Sequence, residues 1–356
     1  MRFKVSMRLT LAFTTHERPD ALAAALRSLS AQTSLPDEVV VADDGSGEVT
    51  RTVIKNLESR ATYPVHHVRQ EHKGFRASRL RNLAIAQATG DYIVFVDGDM
   101  LLHPEFIADH RHFARRGAFT QGVRIPLDAK ETAEQLRTVS IPSARIISGP
   151  EDAERPVQSA PTPSEQPTAD AMSMGPLRHG AYARGSRIPH DPTDRSRARP
   201  EPRTVAVETR EPRVDNRRGL YAYHSLTLAD VTRQLANFFI AIKSCNQGFW
   251  REDLVAVNGF DEDFVGWGSE DKELCARLKN HGIDRQTLVF GGIAFHLHHP
   301  PASRDRHAAN ERLLQLTIAE HRTRCEHGLD AHLSKGASPD KGADPDKSGD
   351  PGKNAN

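Results

Sequence analysis

Short apolar segments alternate with helical patterns along the first part of the chain, and this alternation constrains the fold more than any other feature. The segments 7–13 ("MRLTLAF"), 38–42 ("EVVVA") and 91–99 ("DYIVFVDGD") each have the length and apolar character of a buried strand. Between them, residues 19–32 and 76–90 carry apolar side chains at helical spacing. Strands that alternate with helices predict an α/β fold with a mostly parallel central sheet and flanking helices on both faces.

Each of these predicted strands ends in residues that can bind a polar ligand. Thr14 follows the first strand, Asp44 lies just beyond the second, and Asp97 and Asp99 end the third. In open parallel sheets, ligands bind at the carboxyl ends of the strands. The coincidence of these side chains with strand ends is therefore the first indication of a functional site.

The motif "FVDGDM" places Asp97 and Asp99 two residues apart, so both carboxylates project from one face if the extended geometry continues. Two such acids suit a hard divalent cation that also binds substrate phosphates. The alternative is a loop in which the acids cap neighbouring backbone amides. Because the motif follows an apolar strand of an α/β pattern, the metal site is the favoured interpretation.

The turn "DDGSG" supports two interpretations. Asp43 and Asp44 can accept hydrogen bonds from a nucleobase or a ribose, while Gly45 and Gly47 allow the backbone to turn sharply. A plain Asx turn explains the same residues equally well, and the turn alone does not decide between the two.

Histidines cluster after another apolar segment, "GIAFHLHHPP". His296, His298 and His299 are candidates to complete a metal site with Asp99, because neutral imidazole is a common metal ligand. The chain has 18 histidines, so a chance cluster is the competing explanation. His296 is the first choice among the three.

The segment 259–282 ("GFDEDFVGWGSEDKELCARLKNHG") concentrates carboxylates around one tryptophan. Ser269 is the predicted N-cap of a helix with Glu270 and Asp271 in its first turn, where the helix dipole alone explains the acids. Trp267 lies between two glycines, either as a core residue or as an exposed plate for the apolar face of a sugar. A carboxylate beside such a plate can act as a general base for a hydroxyl.

Three acids of the same segment receive no role in this scheme. They are predicted to form a solvated turn, and they are Asp261, Glu262 and Asp263.

Charge and composition narrow the classes of protein that fit. Lys and Arg total 48 against 47 Asp and Glu, and this near-neutral balance argues against a general electrostatic grip on nucleic acid. Hydrophobic residues make up only 37% of the chain, so part of it is predicted to lie outside any packed core. Residues 129–218 are rich in Pro, Arg, Ser and Glu and predict a largely flexible insert. Residues 326–356 predict a disordered low-complexity tail.

Cysteine usage and hydropathy indicate a soluble cytoplasmic protein. No stretch reaches the roughly 18 apolar residues of a membrane span, and the N-terminal apolar run is too short for a signal peptide. The cysteines have no metal-type spacing and predict reduced thiols. They are Cys245, Cys275 and Cys325.

Taken together, these motifs resemble a family-2 glycosyltransferase of the GT-A fold. "LAFTTHERPDALAAALRSLSAQTSLPDEVVVADDGS" is similar to the N-terminal strand–helix–strand of that family, and "GDYIVFVDGDM" to its Asp-x-Asp motif. "CNQGFWREDLVAVNGFDEDFVGWGSEDKELCARLKNHG" followed by "GGIAFHLHHP" resembles the galactosyltransferase-type acceptor region of bacterial polysaccharide and lipopolysaccharide transferases. The resemblance covers residues 7–128 and 219–325.

The resemblance implies a donor site at the strand ends. Thr14 and Asp44 would hold the uracil and ribose of a nucleotide sugar, with Arg76 as a further contact. Asp97 would lie near the ribose, and Asp99 would bind Mn²⁺ or Mg²⁺ at the diphosphate.

The resemblance also implies an acceptor site in the second half of the chain. Asp271 matches the family's catalytic base, while Glu270 and Trp267 would shape the acceptor site. His296 matches the family's histidine metal ligand, although the adjacent His298 and His299 leave that choice open.

The implied organisation is one Rossmann-like nucleotide-diphospho-sugar transferase domain interrupted by an insert. Residues 1–128 would form the nucleotide-sugar-binding half, and residues 219–325 the acceptor-binding and catalytic half. Residues 129–218 are the insert and 326–356 the tail, and the resemblance gives neither of them a role.

The implied activity is transfer of a hexose or N-acetylhexosamine from a nucleotide sugar, UDP-linked by preference, to a glycan or glycolipid acceptor with inversion. Such an enzyme would work in the cytoplasm, with peripheral contact at the inner face of the cytoplasmic membrane. A non-catalytic nucleotide-sugar-binding scaffold and a sugar nucleotidyltransferase are the alternatives, but the second has no use for an acceptor motif at Trp267–Asp271. A zinc hydrolase is disfavoured because the histidines lack HExxH-type spacing.

Overall fold

Four adjacent parallel strands form one side of the larger sheet in the computed structural model, which describes residues 7–138, 224–236, 242 and 245–333. Their spatial order is β3-β2-β1-β4. They are β1 (Leu9–Thr15), β2 (Glu38–Asp43), β3 (Val65–Arg69) and β4 (Tyr92–Asp97). The apolar runs of β1, β2 and β4 are buried almost throughout, as strands covered on both faces must be.

Three helices connect these strands and cover both faces of the sheet. They are α1 (Pro19–Leu29), α2 (Glu48–Glu58) and α3 (Ala77–Gln87). Pro19 starts α1 because its fixed φ suits the first helical turn, where its missing N–H leaves no intrahelical bond unmade. Leu22, Leu26 and Leu29 then pack into the core on one side of the sheet. Ile85 of α3 packs on the other side, and the α/β fold expected from the sequence is confirmed.

Further strands extend the first sheet and build a second, smaller one. Within the described residues the first continues from β4 in the order β8-β6-β9, and the second has the order β5-β10-β7. β8 pairs antiparallel with β4, and β10 pairs antiparallel with β5, so the sheets are mixed. The bounds are β5 (Met100–Leu102), β6 (Ala118–Gln121), β7 (Val123–Pro126), β8 (Asn246–Trp250), β9 (Asp284–Thr287) and β10 (Ile293–His296).

The remaining described helices lie between and after these strands. They are α4 (Phe106–Phe113), α5 (Ala129–Arg137), α6 (Leu226–Ala236), α7 (Arg251–Ala256), α8 (Glu270–Asn280), α9 (His307–Ala319) and α10 (Asp330–Leu333).

Ordered structure extends past two of the boundaries drawn from composition. α5 occupies the first residues of the predicted insert, and a capping box between Asp128 and Glu131 begins it. The rest of the insert, up to residue 218, lies outside the described residues. At the other boundary, Leu329 is fully buried in the core and α10 ends at Leu333, inside the predicted tail. The tail beyond Leu333 lies outside the described residues as well.

None of the helices in the described ranges is long and apolar enough to cross a membrane. All three cysteines are buried, and none forms a disulfide.

A buried ion pair holds α8 against the rest of the fold. The Arg277 guanidinium donates from Nε to Glu273 Oε1 at 2.7 Å and from Nη2 to Glu273 Oε2 at 2.8 Å. The same guanidinium donates to the carbonyl oxygens of Val257 (2.5 Å) and Gly259 (2.8 Å). Both ionic side chains are essentially inaccessible to solvent. This network fixes the start of the 257–270 segment relative to α8.

We expect Arg277→Met to lower the free energy of unfolding by about 3–5 kcal/mol, because it leaves the buried Glu273 carboxylate unpaired. Urea unfolding at pH 7 measures the change. Arg322→Met is the matched control: its pair with Glu320 is exposed, and we expect a change within about 0.5 kcal/mol. Equal losses in the two variants would contradict the assignment of Arg277 as the anchor of α8.

Candidate functional site

The register between β1 and β4 brings two of the predicted site residues together. Thr14 is the partner of Asp97 in the parallel ladder, and its hydroxyl donates to Asp97 Oδ1 at 3.1 Å. Asp44 follows the neighbouring strand β2, whose last residue, Asp43, is the partner of Thr15. The strand ends named from the sequence therefore lie side by side along one edge of the sheet.

Asp99, His296 and His299 form a metal-type cluster at the same edge. Asp99 Oδ2 lies 3.6 Å from His296 Nε2 and 3.4 Å from His299 Nε2, and the three ligand atoms lie within 4.8 Å of one another. The pairing of β5 with β10 builds this cluster, because it sets His296 opposite Met100, the residue after Asp99. Asp99 Oδ1 is buried and accepts no hydrogen bond from the described residues. A carboxylate with a spare buried oxygen beside two imidazoles fits a divalent cation.

Burial sets the protonation of the cluster. Burial, and then the nearby charge of Asp97, raise the pKa of Asp99 to about 6. Burial, and then the charge of Arg124, lower the pKa of His296 to about 4. At neutral pH the cluster consequently offers an ionised carboxylate and a neutral imidazole, which are the forms that bind metals.

Arg18 is a partner of Asp99 that the sequence did not reveal. Its guanidinium lies at the N-cap of α1 and donates from Nη1 to Asp99 Oδ2 at 3.1 Å. The Arg18 guanidinium therefore contacts the same carboxylate oxygen, Asp99 Oδ2, that lies near the two histidines.

Among the three clustered histidines, His298 lies apart from Asp99. Its side chain is exposed, and its backbone N–H donates to Thr132 Oγ1 at 2.7 Å. His296 and His299 both face Asp99 instead. The structure thus brings two histidines to the acid, where the sequence left the choice among three.

Asp44 is nearly buried, and both of its carboxylate oxygens are already hydrogen-bonded. Gln70 Nε2 donates to Oδ1 at 2.7 Å, and His72 Nδ1 donates to Oδ2 at 2.9 Å. His16 donates from Nδ1 to the Asp44 carbonyl oxygen at 2.7 Å, and its ring stacks on that of His72 with centroids 4.1 Å apart. Two exposed imidazoles therefore cover the carboxylate at this end of the edge.

Arg76 lies beside this end of the site rather than at its centre. Its guanidinium donates to the carbonyl oxygen of Glu71 in the same loop. Its own carbonyl oxygen accepts a long contact of 3.4 Å from Gln70, the residue that holds Asp44.

Two glycines flank Trp267 and decide between the two positions that the sequence left open for it. Gly266 has φ +81° and Gly268 has φ +110°, and a Cβ at either position would collide with Arg306 or His307. The indole is 37% exposed, with the guanidinium of Arg304 5.1 Å from its ring centroid. Trp267 is thus a partly exposed plate and not a core residue.

Ser269 precedes α8 but does not cap it with its side chain, so that prediction is wrong. Its φ of +70° is left-handed, and its hydroxyl donates to Glu311 Oε2 at 2.9 Å on α9. The tight turn after Gly268 imposes this conformation, which is incompatible with the extended backbone of a normal N-cap.

The predicted solvated turn at 261–263 is only partly solvated. Asp263 is exposed, but burial raises the pKa of Asp261 to about 6. Glu262 accepts a hydrogen bond from Asn82 at 2.9 Å and contacts His332 at 2.6 Å. These contacts fix the turn against α3 and α10.

Glu270 and Asp271 lie buried in the first turn of α8. Asp271 Oδ1 accepts from the Lys272 backbone N–H at 2.8 Å. Glu270 Oε1 accepts from Arg81 Nη1 at 3.2 Å, and Arg81 Nη2 lies 3.6 Å from Asp97 Oδ1. One buried guanidinium therefore links Glu270 of α8 to Asp97 at the end of β4.

Arg81 is a site residue that the sequence reasoning missed, although the sequence carried a signal. It lies on the buried face of α3, four residues before Ile85 and seven before Ala88, which are both core residues. A charged residue in the apolar stripe of a helix is rarely buried without a partner.

Two family models match this chain. Residues 10–168 match "Glycosyl transferase family 2", and residues 236–300 match "N-terminal domain of galactosyltransferase". Together the two models cover more than half of the chain, and they contain the strand-end acids and the Trp267–Asp271 segment respectively.

Curated relatives have glycosyl-transfer names. The chain is 28% identical over 283 residues to a validoxylamine A glucosyltransferase of Streptomyces hygroscopicus subsp. limoneus, covering 77% of this chain and 48% of the relative. It is 24% identical over 312 residues to a chondroitin synthase of Escherichia coli, covering 86% of this chain and 38% of the relative. The chain thus spans about half the length, or less, of these curated relatives.

Among solved structures, that of S. aureus TarS 1–349 in complex with UDP aligns with a TM-score of 0.49 at 13% identity, over 92% of this chain and 68% of that one. The family models, the order of their motifs and the α/β topology agree with one another. The chain belongs to the family-2 glycosyltransferases of the GT-A fold, with a galactosyltransferase-type C-terminal region.

Proposed function

We propose that the chain is an inverting, metal-dependent glycosyltransferase that moves a hexose or N-acetylhexosamine from a UDP-sugar to a glycan or lipopolysaccharide-type acceptor. The observation that carries the proposal is the Asp99–His296–His299 cluster at the carboxyl ends of the parallel strands β1, β2 and β4. That edge is where a nucleotide binds in open α/β sheets. Two imidazole nitrogens and one carboxylate oxygen suit a divalent transition metal such as Mn²⁺ better than Mg²⁺.

The donor half of the site runs along the strand ends. Thr14, Asp44 and Asp97 would contact the nucleoside, with Arg76 beside them, while Asp99, His296 and His299 would hold the metal near the diphosphate. When bound, the metal would act as a Lewis acid that neutralises the charge of the departing nucleoside diphosphate. Arg18, which already lies beside Asp99, adds a positive charge to the same region.

The acceptor half would supply the base. Asp271 takes the proton from an acceptor hydroxyl while that oxygen attacks the anomeric carbon of the donor. The bond between this carbon and the diphosphate oxygen breaks in the same step, and its electron pair leaves with the nucleoside diphosphate. A single displacement inverts the anomeric configuration. Trp267 would stack on the apolar face of the acceptor sugar, and Glu270 would border that position.

The substrate class rests on the relatives. Their names include a glucosyltransferase and two polysaccharide synthases, for chondroitin and hyaluronan. Sugar transfer onto a growing envelope glycan would place the chain at the inner face of the cytoplasmic membrane. Incubation of the chain with UDP- and GDP-sugars and Mn²⁺, followed by detection of released nucleotide, identifies the donor. Nucleotide-sugar binding without transfer to any glycan acceptor would instead favour a non-catalytic scaffold.

We expect a chelator to abolish transfer and added Mn²⁺ to restore it. His296→Ala and His299→Ala should each weaken Mn²⁺ binding at least about tenfold in calorimetry, because each removes a nitrogen ligand. His298→Ala is the matched control and should bind Mn²⁺ like the unchanged chain, since the His298 side chain is exposed and does not belong to the group formed by Asp99, His296 and His299. Equal Mn²⁺ affinity in all three variants would refute the assigned ligands.

The affinity for Mn²⁺ should depend on pH through Asp99. Its pKa of about 6 means that protons compete with the metal below about pH 6, whereas His296 stays neutral down to about pH 4. We therefore expect a nearly constant affinity between pH 7 and 8, and a loss below pH 6 that approaches about tenfold per pH unit, the limit for one competing proton. Calorimetric titration at each pH measures this, and an affinity unchanged down to pH 5 would contradict it.

We expect Asp271→Asn to fold and bind donor normally but to lose transfer by at least about 100-fold, because the amide cannot accept the hydroxyl proton. The matched control is Asp263→Asn, which changes an exposed acid of the same segment and should retain full activity. Steady-state transfer rates of both variants test the role. Near-normal turnover by Asp271→Asn would remove Asp271 from it.

A further inference from the structure

One buried cation lies between the donor half and the acceptor half of the site. Arg81 belongs to α3, and its side chain is only 4% exposed. Its Nη1 contacts Glu270 Oε1 at 3.2 Å on α8, its Nη2 lies 3.6 Å from Asp97 Oδ1 at the end of β4, and its guanidinium carbon lies 5.3 Å from the centroid of the Phe260 ring. Glu270 is 189 residues distant in the chain, so the contact joins the two regions matched by separate family models.

The hydrogen bonding of Arg81 on α3 differs from that of Arg277, the buried arginine of α8. Arg277 satisfies its buried donors with four short bonds to Glu273, Val257 and Gly259. Arg81 makes one bond of 3.2 Å and one longer ion pair, and its buried Nε–H finds no acceptor among the described residues. A buried donor without a partner lowers stability. Arg277 is therefore built as a structural anchor, whereas the position of Arg81 is explained by the charges around it.

Three carboxylates act on this one guanidinium. Burial lowers the pKa of Arg81, but the charges of Glu270, Asp97 and Asp271 outweigh burial and raise it above its ordinary value. The Cys275 thiol, one turn after Asp271, is a further titratable group here, and burial together with the charge of Asp271 raises its pKa, so it stays protonated; Glu273 and Arg285 also act on this thiol. Without a cation, adjacent buried carboxylates cannot all remain ionised at neutral pH.

We propose that Arg81 is a positioning residue that keeps Glu270 and Asp271 ionised together and fixes the start of α8 relative to the end of β4. The inference rests on the proposed function, because it concerns the readiness of the base for the acceptor. One guanidinium thereby sets both the charge state of the acceptor side and its distance from the donor side. Arginine suits this task better than lysine, because its planar fork reaches two carboxylates at once.

The test compares the pH dependence of kcat/KM in Arg81→Met, Arg81→Lys and Arg277→Met. In Arg81→Met we expect the acid limb of the kcat/KM profile to move to higher pH by about one unit or more. At pH 7, kcat/KM should fall by at least about 100-fold. Arg81→Lys keeps the charge but loses the fork, so its acid limb should stay in place while kcat falls about tenfold. Arg277→Met should lose thermal stability and leave the acid limb where it is in the unchanged chain.

Two outcomes would overturn the inference. One is an acid limb in Arg81→Met that coincides with those of the unchanged chain and Arg277→Met, since Arg81 would then be structural only. The other is an Arg81→Lys variant with unchanged kcat and acceptor KM, which remains decisive if Arg81→Met does not fold.

A readout that needs no turnover separates this inference from the proposed function. Carboxyl ¹³C NMR titration of the labelled chain, with signals assigned through Glu270→Gln and Asp271→Asn, follows the ionisation directly. We expect at least one of these carboxyl groups to titrate at higher pH in Arg81→Met than in the unchanged chain. Identical titrations would refute the role of Arg81 even in a chain that transfers no sugar.

Discussion

The alignment of β1 with β4 is the constraint on which the candidate site depends. Its register pairs Thr14 with Asp97, and the chain then passes Gly98 and Asp99 into β5 of the smaller sheet. A Cβ at Gly98 would lie 3.0 Å from the Thr14 carbonyl oxygen, so this crossing between sheets tolerates little side-chain volume. Because β5 pairs with β10, the same short stretch sets the position of His296. One backbone segment thus positions Asp97 and the cluster of Asp99, His296 and His299 together.

Burial of charge at this edge opposes stability and is compensated only in part. Burial raises the pKa of Asp99 to about 6, which still leaves the carboxylate ionised at neutral pH, and Arg18 is its nearest cation. Its Oδ1 and the Nε–H of Arg81 are both buried without partners among the described residues. Unsatisfied groups of this kind concentrate at binding sites, where a ligand or metal supplies what the protein leaves open.

Sequence patterns predicted those parts of the site that depend on local geometry. The strand ends that carry Asp97 and Asp99 follow from apolar runs, whereas the two glycines around Trp267 left both a core position and an exposed plate open. Contacts between distant segments were beyond such patterns: Arg18 is separated from Asp99 by 81 residues. Ser269 fails for a related reason, since a local capping rule was overridden by a left-handed turn and a bond to α9. Tertiary contacts decide such positions, and no spacing in the sequence records them.

Helix α8 combines a rigid anchor with a less satisfied functional end. Glu273 and Glu270 are three residues apart, close to one helical turn, and each meets a buried arginine. Because Arg277 ties Glu273 to the backbone at Val257 and Gly259, the helix is held in place independently of its first turn. The first turn can therefore keep Glu270 and Asp271 beside Arg81, whose hydrogen bonds are long and incomplete. The Glu273–Arg277 pair supplies stability to the helix. The Glu270–Arg81 pair can therefore be arranged for charge rather than for optimal hydrogen bonding.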